Sequence, residues 1–388
     1  MLPFFDDDHA SLRSRARAWV EEHLISTDEQ SVDIEMAAIQ WVQRLGKDEF
    51  LAYTIPREYG GKRANVQARD LCILREELAR GSALADTMFA LQGLGSYPVT
   101  IAGSESQKRR YLPKIATGEA IAAFALTEPE SGSDVASLRT RAIKRENQYS
   151  ISGTKRFISN AGIADHYVVF ASTAPEKKAK GISAFFVDAQ APGLTVIEKT
   201  IVMSPHPIGV IGLVNCIVAG DSVLGAEGQG LSVALGTLDL FRCSVGAAAV
   251  GLAQRAMEEA IAYSTRRRQF GRAISEFQGI QFKLADMATE LEAARLLVYQ
   301  AAWAYDRGDE NAQRQSSMAK LYATESAQRI IDQALQIHGG VGVVAGNIME
   351  RLYRDIRALR IYEGTSEIQK LVIARSLLNE PRGSKIAD

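Results

Sequence analysis

"QYSISGTKRFIS", residues 148–159, breaks the texture of a chain whose other stretches read as helix. β-Branched and aromatic residues crowd into it. "HYVVFAS" (166–172), "GISAFFVDA" (181–189) and "LTVIEKT" (194–200) follow, punctuated by Gly, Pro, Asn and Asp. Short runs of this kind read as the strands of one small β domain. Before it, "DLCILREELAR" (70–80) sets Leu71, Ile73, Leu74 and Leu78 on an apolar stripe broken by charges. After it, no Gly or Pro stands between Gly279 and Gly308, and Leu284, Met287, Leu291, Ala294 and Val298 recur at helical spacing. Such a helix is about 40 Å long. A second run, Asn311 to His338, ends at Gly339-Gly340, a C-cap signal. A third starts near Asn347, and a fourth follows Thr365. The expected class is α+β, mostly α. An N-terminal helical domain (1–118) precedes a middle β domain (119–228, barrel- or sandwich-like) and a C-terminal four-helix bundle (229–388).

The chain has 388 residues, 46% hydrophobic and 23% charged, with a formal net charge of -1. That balance gives no electrostatic reason to expect nucleic acid as a partner. Cys72, Cys216 and Cys243 are scattered without metal-ligand spacing, so neither a disulfide framework nor a metal site is expected. "MLPFFDDDHA" at the start is acidic and lacks the pattern of a secretion signal. No run of 18 consecutive apolar residues argues for a membrane span. The expectation is a cytoplasmic protein.

Five stretches hold chemistry-bearing residues. "FALTEPESGSDVASL" (124–138) offers Thr127, Ser131, Ser133 and a bare turn at Gly132, fit for a phosphate or for nothing more than a surface loop. In "GTKRFISNAG" (153–162), Phe157 and Ser159 sit two apart and so share one face of a strand. They offer an aromatic plate and a hydroxyl to a planar cofactor, or merely furnish a sheet surface. "RRRQFGRAISEFQ" (266–278) sets three arginines near an aromatic, an anion site or a solvated helix end. The glycines of "QIHGGVG" (336–342) cap a helix or admit a ligand to the backbone. In that stretch His338 is better read as packed than as a metal ligand. In "RIYEGTSEIQ" (360–369), Ser366 and Gln369 read as an S-x-x-Q capping box, with Glu363 on the loop before it.

Taken in this order, the five stretches resemble the acyl-CoA dehydrogenase family over nearly the whole chain. The resemblance implies FAD. Thr127 takes the place of a contact to the pyrimidine end of the flavin. Phe157 stands where a tryptophan is usual beside the ring system, and Ser159 where a threonine is usual near N5. Ser133 lies where the family touches cofactor or pantetheine. Arg267, Phe270 and Gln278, together with Gln336, Gly339 and Gly340, resemble contacts to the adenine half of a neighbouring subunit's FAD. That implies a homo-oligomer, most often a tetramer built as a dimer of dimers. Thr365 and Glu367 resemble a further flavin-contacting segment. Glu363 matches the base that removes the α-proton of an acyl-CoA, with flavin N5 taking the β-hydrogen. Asp239, Arg242, Tyr362 and Gly364 match substrate contacts. An electron-transferring flavoprotein is the implied acceptor; an oxidase and a carrier-protein-linked dehydrogenase are the alternatives. An ordinary glutamate, pKa about 4.3, is a feeble base. Desolvation by a bound acyl chain would raise it, against the pull of the following helix N-terminus.

Some members carry the base on the first long bundle helix. The matching position here is Phe241, which cannot abstract a proton. The chain departs from the family at Ser204-Pro205-His206-Pro207, where His206 could touch a polar group or lie in a rigid surface loop. In "FALQGLGSYPV" (89–99), Gln92, Ser96 and Tyr97 hint at a partly polar acyl pocket of unstated length.

Overall fold

The computed structural model describes residues 4–25 and 33–379. The first three residues of the acidic N-terminal stretch lie outside them. Five helices come first: α1 (Asp7–His23), α2 (Ile34–Lys47), α3 (Ala68–Gly81), α4 (Ala83–Ala102) and α5 (Glu105–Ala116). Eight strands follow: β1 (Ala122–Ala125), β2 (Arg141–Arg145), β3 (Gln148–Ser159), β4 (His166–Ser172), β5 (Ile182–Asp188), β6 (Leu194–Lys199), β7 (Ile208–Ala219) and β8 (Val223–Leu224). They form one sheet in the order β6-β7-β3-β2-β4-β5-β8, with β1 added in parallel to β4. Then come α6 (Gly230–Arg266), a hairpin of β9 (Arg268–Gln269) and β10 (Arg272–Ala273), α7 (Gln278–Asp306), α8 (Ala312–His338), α9 (Ile348–Leu359) and α10 (Ser366–Asn379). The mostly helical α+β class read from the sequence is the observed one.

Helix α6 is long and apolar enough to cross a membrane, yet 78% of its apolar window is buried within the protein. It packs against α3, α7 and α8. Its run of small residues permits this. A Cβ on Gly251 would stand 2.1 Å from the Glu76 carbonyl of α3, so only glycine allows that approach. One hydrophobic core runs from Leu12 through Ile151 of the sheet to Leu359, linking all three regions.

Helix α3 corrects the stripe expected of it. Its charges do not face water: Asp70, Arg75, Glu76 and Glu77 are as buried as its leucines. Each finds a partner. Asp70 accepts from Arg63 at 2.8 Å, Arg75 pairs with Asp86, and Glu76 meets Arg295 at 3.0 Å and the Tyr299 hydroxyl. Glu77 meets Arg17 at 3.1 Å. A helix enclosed on several sides can carry charge only where neighbours supply the countercharge.

The β domain has its own buried pair. Lys155 Nζ lies 2.8 Å from Glu128 Oε1 and 3.0 Å from the Leu126 carbonyl. Glu128 also accepts from the Arg139 and Thr140 N–H groups at 2.5 and 3.0 Å. Burial pushes the Lys155 pKa down to about 8, against the pull of Glu128. The pair fastens the 126–140 loop to β3. Lys155→Met would leave Glu128 buried without its cation, and we expect a loss of about 3–5 kcal/mol in urea denaturation. A loss under about 1 kcal/mol would show that the loop does not depend on this pair.

Candidate active site

Glu363 sits in the turn between α9 and α10 with φ 53°, followed by Gly364 with φ 90°. A non-glycine residue in left-handed backbone costs roughly 1–2 kcal/mol. The surroundings hold it there. Lys320 of α8, 1% exposed, donates to the Tyr362 carbonyl at 2.9 Å and the Gly364 carbonyl at 2.6 Å. Gln369 Nε2 donates to the carbonyls of Glu363 at 3.2 Å and Gly364 at 2.9 Å. All three carbonyls of Tyr362-Glu363-Gly364 are thereby engaged by side chains.

The capping box expected of Ser366 and Gln369 does not form. Thr365 caps α10, its Oγ1 accepting from Ile368 N at 3.3 Å. Ser366 lies inside the first turn and donates to Glu325 Oε1 at 2.6 Å. Two adjacent hydroxyls compete for the cap, and the carboxylate on α8 draws the second one away. Glu367 is exposed in the first turn of α10.

Burial raises the Glu363 pKa, against the pull of Arg75, Lys320 and Arg242. Its Oε2 is buried and finds no hydrogen-bond partner in the chain. Burial in turn takes Lys320 down to about 8, with Glu363 opposing. Arg75 reaches the site already committed: Nε and Nη2 each donate to Asp86 at 2.9 Å, and Nη1 to Ser244 Oγ at 3.2 Å. The Tyr362 hydroxyl faces the same guanidinium. Arg242 pairs with Asp239 at 2.6 Å, and Gln313 donates to the other Asp239 oxygen at 2.9 Å. Arg242 Nε is buried without a partner. The arrangement is a desolvated carboxylate ringed by cations, none of which forms a direct salt bridge with it.

The wall beside Ser244 is apolar. The Phe241 ring fills the space above Gly93, where a Cβ would stand 2.4 Å from it, and Tyr97 meets that ring edge-on at 6.1 Å. Gln92 and Ser96 do not make this wall polar. Both are fully buried and turned to backbone: Gln92 bonds Ala120 O and Ala122 N at 2.8 and 2.9 Å, and Ser96 bonds Gly93 O at 3.2 Å.

On the sheet, Phe157 and Ser159 do share the outer side, but not by simple alternation. Lys155 points inward, so a regular strand would bury Phe157 with it. The register against β7 slips between Lys155 and Ile158, and Phe157 takes φ 55°. This bulge leaves Phe157 half-exposed and Ile158 buried. The Thr127 carbonyl accepts from Arg156 N at 2.9 Å, which sets the 127–133 loop against the same stretch. Ser133 is exposed, and a Cβ on Gly132 would meet nothing within 4 Å. Ser159 Oγ lies 3.2 Å from His206 Nε2.

A second cluster forms at the far end of the bundle. Phe270 (φ 50°) and Gly271 (φ 81°) make the left-handed corner of the β9–β10 hairpin, and Phe270 is 93% exposed. Arg267, Gln278, Gln336, Gly339 and Gly340 are exposed as well. Gly339 has φ 60° at the C-cap of α8, and nothing lies within 4 Å of where a Cβ on Gly339 or Gly340 would be. Tyr263 stacks on His338 at 4.4 Å and ties the two chain segments together. His338 itself is packed, its Nδ1 2.8 Å from Ala334 O. Along α8, Gln336 lies about 24 Å from Lys320 at about 1.5 Å per residue. The fold therefore does not bring this cluster to Glu363. Among the described residues, no group of three or more His, Cys, Asp or Glu is placed to hold a metal.

Sequence reasoning missed Lys320, Arg75, Asp86 and Ser244. Lys320 stands among small residues on a helix without any local mark, and Arg75 reads as one more charge on a solvated stripe.

A helical region, a β domain and a bundle around a buried carboxylate define a class of flavin-dependent dehydrogenase. The comparisons with known proteins name it. Models of the acyl-CoA dehydrogenase N-terminal, middle and C-terminal domains match residues 6–119, 123–215 and 228–378. An acyl-CoA dehydrogenase of Bacillus subtilis is 40% identical over 374 residues, covering 96% of this chain and 98% of that one. The CarC subunit of the caffeyl-CoA reductase-Etf complex of Acetobacterium woodii is 37% identical over 386 residues, covering 97% and 100%. The butyryl-CoA dehydrogenase structure from Megasphaera elsdenii aligns with a TM-score of 0.91 at 33% identity, covering 97% and 99%. This chain belongs to the acyl-CoA dehydrogenase family. It is an oxidoreductase whose cofactor is FAD.

Removing the Lys320 cation deprives Glu363 of one group that favours its ionised form. With that group gone the carboxyl stays protonated to higher pH, so any step that needs it ionised is lost at higher pH in the variant. We expect Lys320→Met to move the acid limb of acyl-CoA-dependent flavin reduction upward by about 1 pH unit. An unmoved limb would show that Lys320 acts on the turn alone.

Proposed function

We propose that this chain dehydrogenates an acyl-CoA between its α and β carbons, with Glu363 removing the α-proton. One observation carries the reading: Glu363 is desolvated, its Oε2 is unpartnered, and its backbone is held in a strained turn by Lys320 and Gln369. A structural glutamate would be paired directly with one of the three cations it faces. Burial raises its basicity, and an apolar acyl chain against Phe241 would strengthen that effect by excluding water. We assign the Glu363 backbone N–H as a donor to the thioester carbonyl, which acidifies the α-carbon. Tyr362, Gly364, Asp239, Arg242 and Ser133 would line the path of the thioester.

The residues present fit FAD. A half-exposed aromatic plate at Phe157 stands beside the Ser159 hydroxyl, with Thr127 and the bare Gly132 turn alongside. Bound there, FAD supplies the acceptor for the β-hydrogen and its electron pair. Thr365 and Glu367 at the start of α10 complete the holding set. Arg267, Phe270, Gln278, Gln336, Gly339 and Gly340 gather at the end of the bundle away from Lys320 and the Glu363 turn. We infer that they hold the adenine half of FAD in a second copy of the chain, within a dimer of dimers. An electron-transferring flavoprotein is our proposed acceptor, supported by the Etf complex named for the Acetobacterium relative.

Glu363→Gln keeps the shape of the turn and removes the base. We expect it to retain the flavin absorbance while anaerobic bleaching by a panel of acyl-CoAs slows by about 10²–10⁴. Bleaching at the parent rate would sink the assignment. Phe270→Asp places a charge where a second copy should cover an apolar ring. Expected in sedimentation and flavin content are dissociation and loss of FAD together; a parent chain that holds FAD as a monomer would overturn the shared site.

A further inference from the structure

His206 belongs to no role assigned so far, and its loop is fastened on both sides. Arg354 Nη1 donates to the Met203 carbonyl at 3.0 Å, and Ser204 Oγ donates to Asp355 Oδ1 at 2.8 Å, both on α9. Asn160 N donates to the Pro207 carbonyl at 2.8 Å, just past Ser159 on the sheet side. Pro205 and Pro207 flank the histidine and fix its backbone. The ring is held between two oxygens: Nδ1 is 3.0 Å from the Ser204 carbonyl and Nε2 is 3.2 Å from Ser159 Oγ.

The two distances decide who donates. A carbonyl only accepts, so Nδ1 carries the hydrogen. Burial lowers the His206 pKa below the ordinary histidine value, opposed by the Ser204 carbonyl. The ring is therefore neutral near pH 7, and a neutral ring with its hydrogen on Nδ1 has a bare lone pair on Nε2. Ser159 must supply the hydrogen. Its hydroxyl is spent on His206, and only oxygen lone pairs are left for a third partner.

We propose that His206 is a positioning residue that converts Ser159 from a hydrogen-bond donor into an acceptor on the flavin side. The inference rests on the reading that Ser159 borders flavin N5. Oxidised N5 can only accept a hydrogen bond, whereas reduced N5 carries a hydrogen and can donate one. A serine oxygen offering lone pairs favours the reduced state. His206 itself makes and breaks no covalent bond. It biases the equilibrium toward the state in which the substrate's β-hydrogen and electron pair have arrived.

The test is the midpoint potential of FAD in the purified holoenzyme, by reductive titration against a reference dye. His206→Phe keeps a ring but removes the acceptor. The reduced-to-oxidised equilibrium should fall about tenfold, which for a two-electron couple is about 30 mV lower. His206→Gln, whose amide oxygen can accept the Ser159 hydrogen, should stay within about threefold of the parent. Ser159→Ala should itself move the potential, and adding His206→Phe to it should move it no further. A potential moved by Ser159→Ala but not by His206→Phe overturns the role of His206 and leaves the flavin site intact. A potential moved by neither variant overturns the placement of Ser159 at the flavin. If His206→Phe cannot hold FAD, ¹⁵N spectra of the parent holoenzyme with labelled histidine decide. The chain has five histidines, and a His206 ring protonated on Nε2 rather than Nδ1 refutes the relay.

Discussion

The buried ammonium of Lys320 is the contact that spans the Glu363 turn. Two carbonyls, one on each side of Glu363, converge on one Nζ. Together with the Gln369 amide, that point of attachment holds a left-handed glutamate and a left-handed glycine against the bundle. The same ammonium offsets the carboxylate electrostatically while leaving its Oε2 without a hydrogen bond. One side chain thus contributes both to the geometry of the turn and to the electrostatics of its carboxylate. The cost of burying Lys320 is met by neutral carbonyls rather than by a direct salt bridge, which would have tied up the carboxylate.

The rest of the interior follows a related logic. Buried charge sits where separate elements meet: Arg75 of α3 against Asp86 of α4, Glu76 of α3 against Arg295 of α7, Lys155 of β3 against the 126–140 loop. The 201–207 loop extends this network from the sheet to α9, just ahead of the Glu363 turn. The Ser159 end of the sheet and the helix that leads into the Glu363 turn are therefore linked by protein contacts as well as by a shared core.

What the sequence showed and what it hid divide along physical lines. Long helices and β-rich runs were legible because periodicity is local: α7 and α8 lie where spacing and glycines place them. Glu363 stood out through its motif. Lys320, Arg75 and Asp86 did not, because a buried charge is defined by its distant partner. The S-x-x-Q pattern misled because Glu325, forty-one residues away in sequence, draws Ser366 off the cap. Phe157 was placed on the right side for an incomplete reason. A bulge, which no alternation rule foresees, turns it outward. Gln92 and Ser96 looked like pocket polarity because side-chain type does not say whether the backbone already claims it.

The left-handed backbone at Glu363 also bears on how this protein tolerates change. Glycine at that position would relieve the strain and remove a buried, unpartnered carboxylate oxygen in one substitution. On the proposed role of Glu363, stability and catalysis therefore pull in opposite directions at a single codon. A lineage freed from the reaction would drift toward glycine there and grow sturdier as it fell silent. Under the proposed role, turnover is what the strained backbone and the enclosed oxygen are kept for.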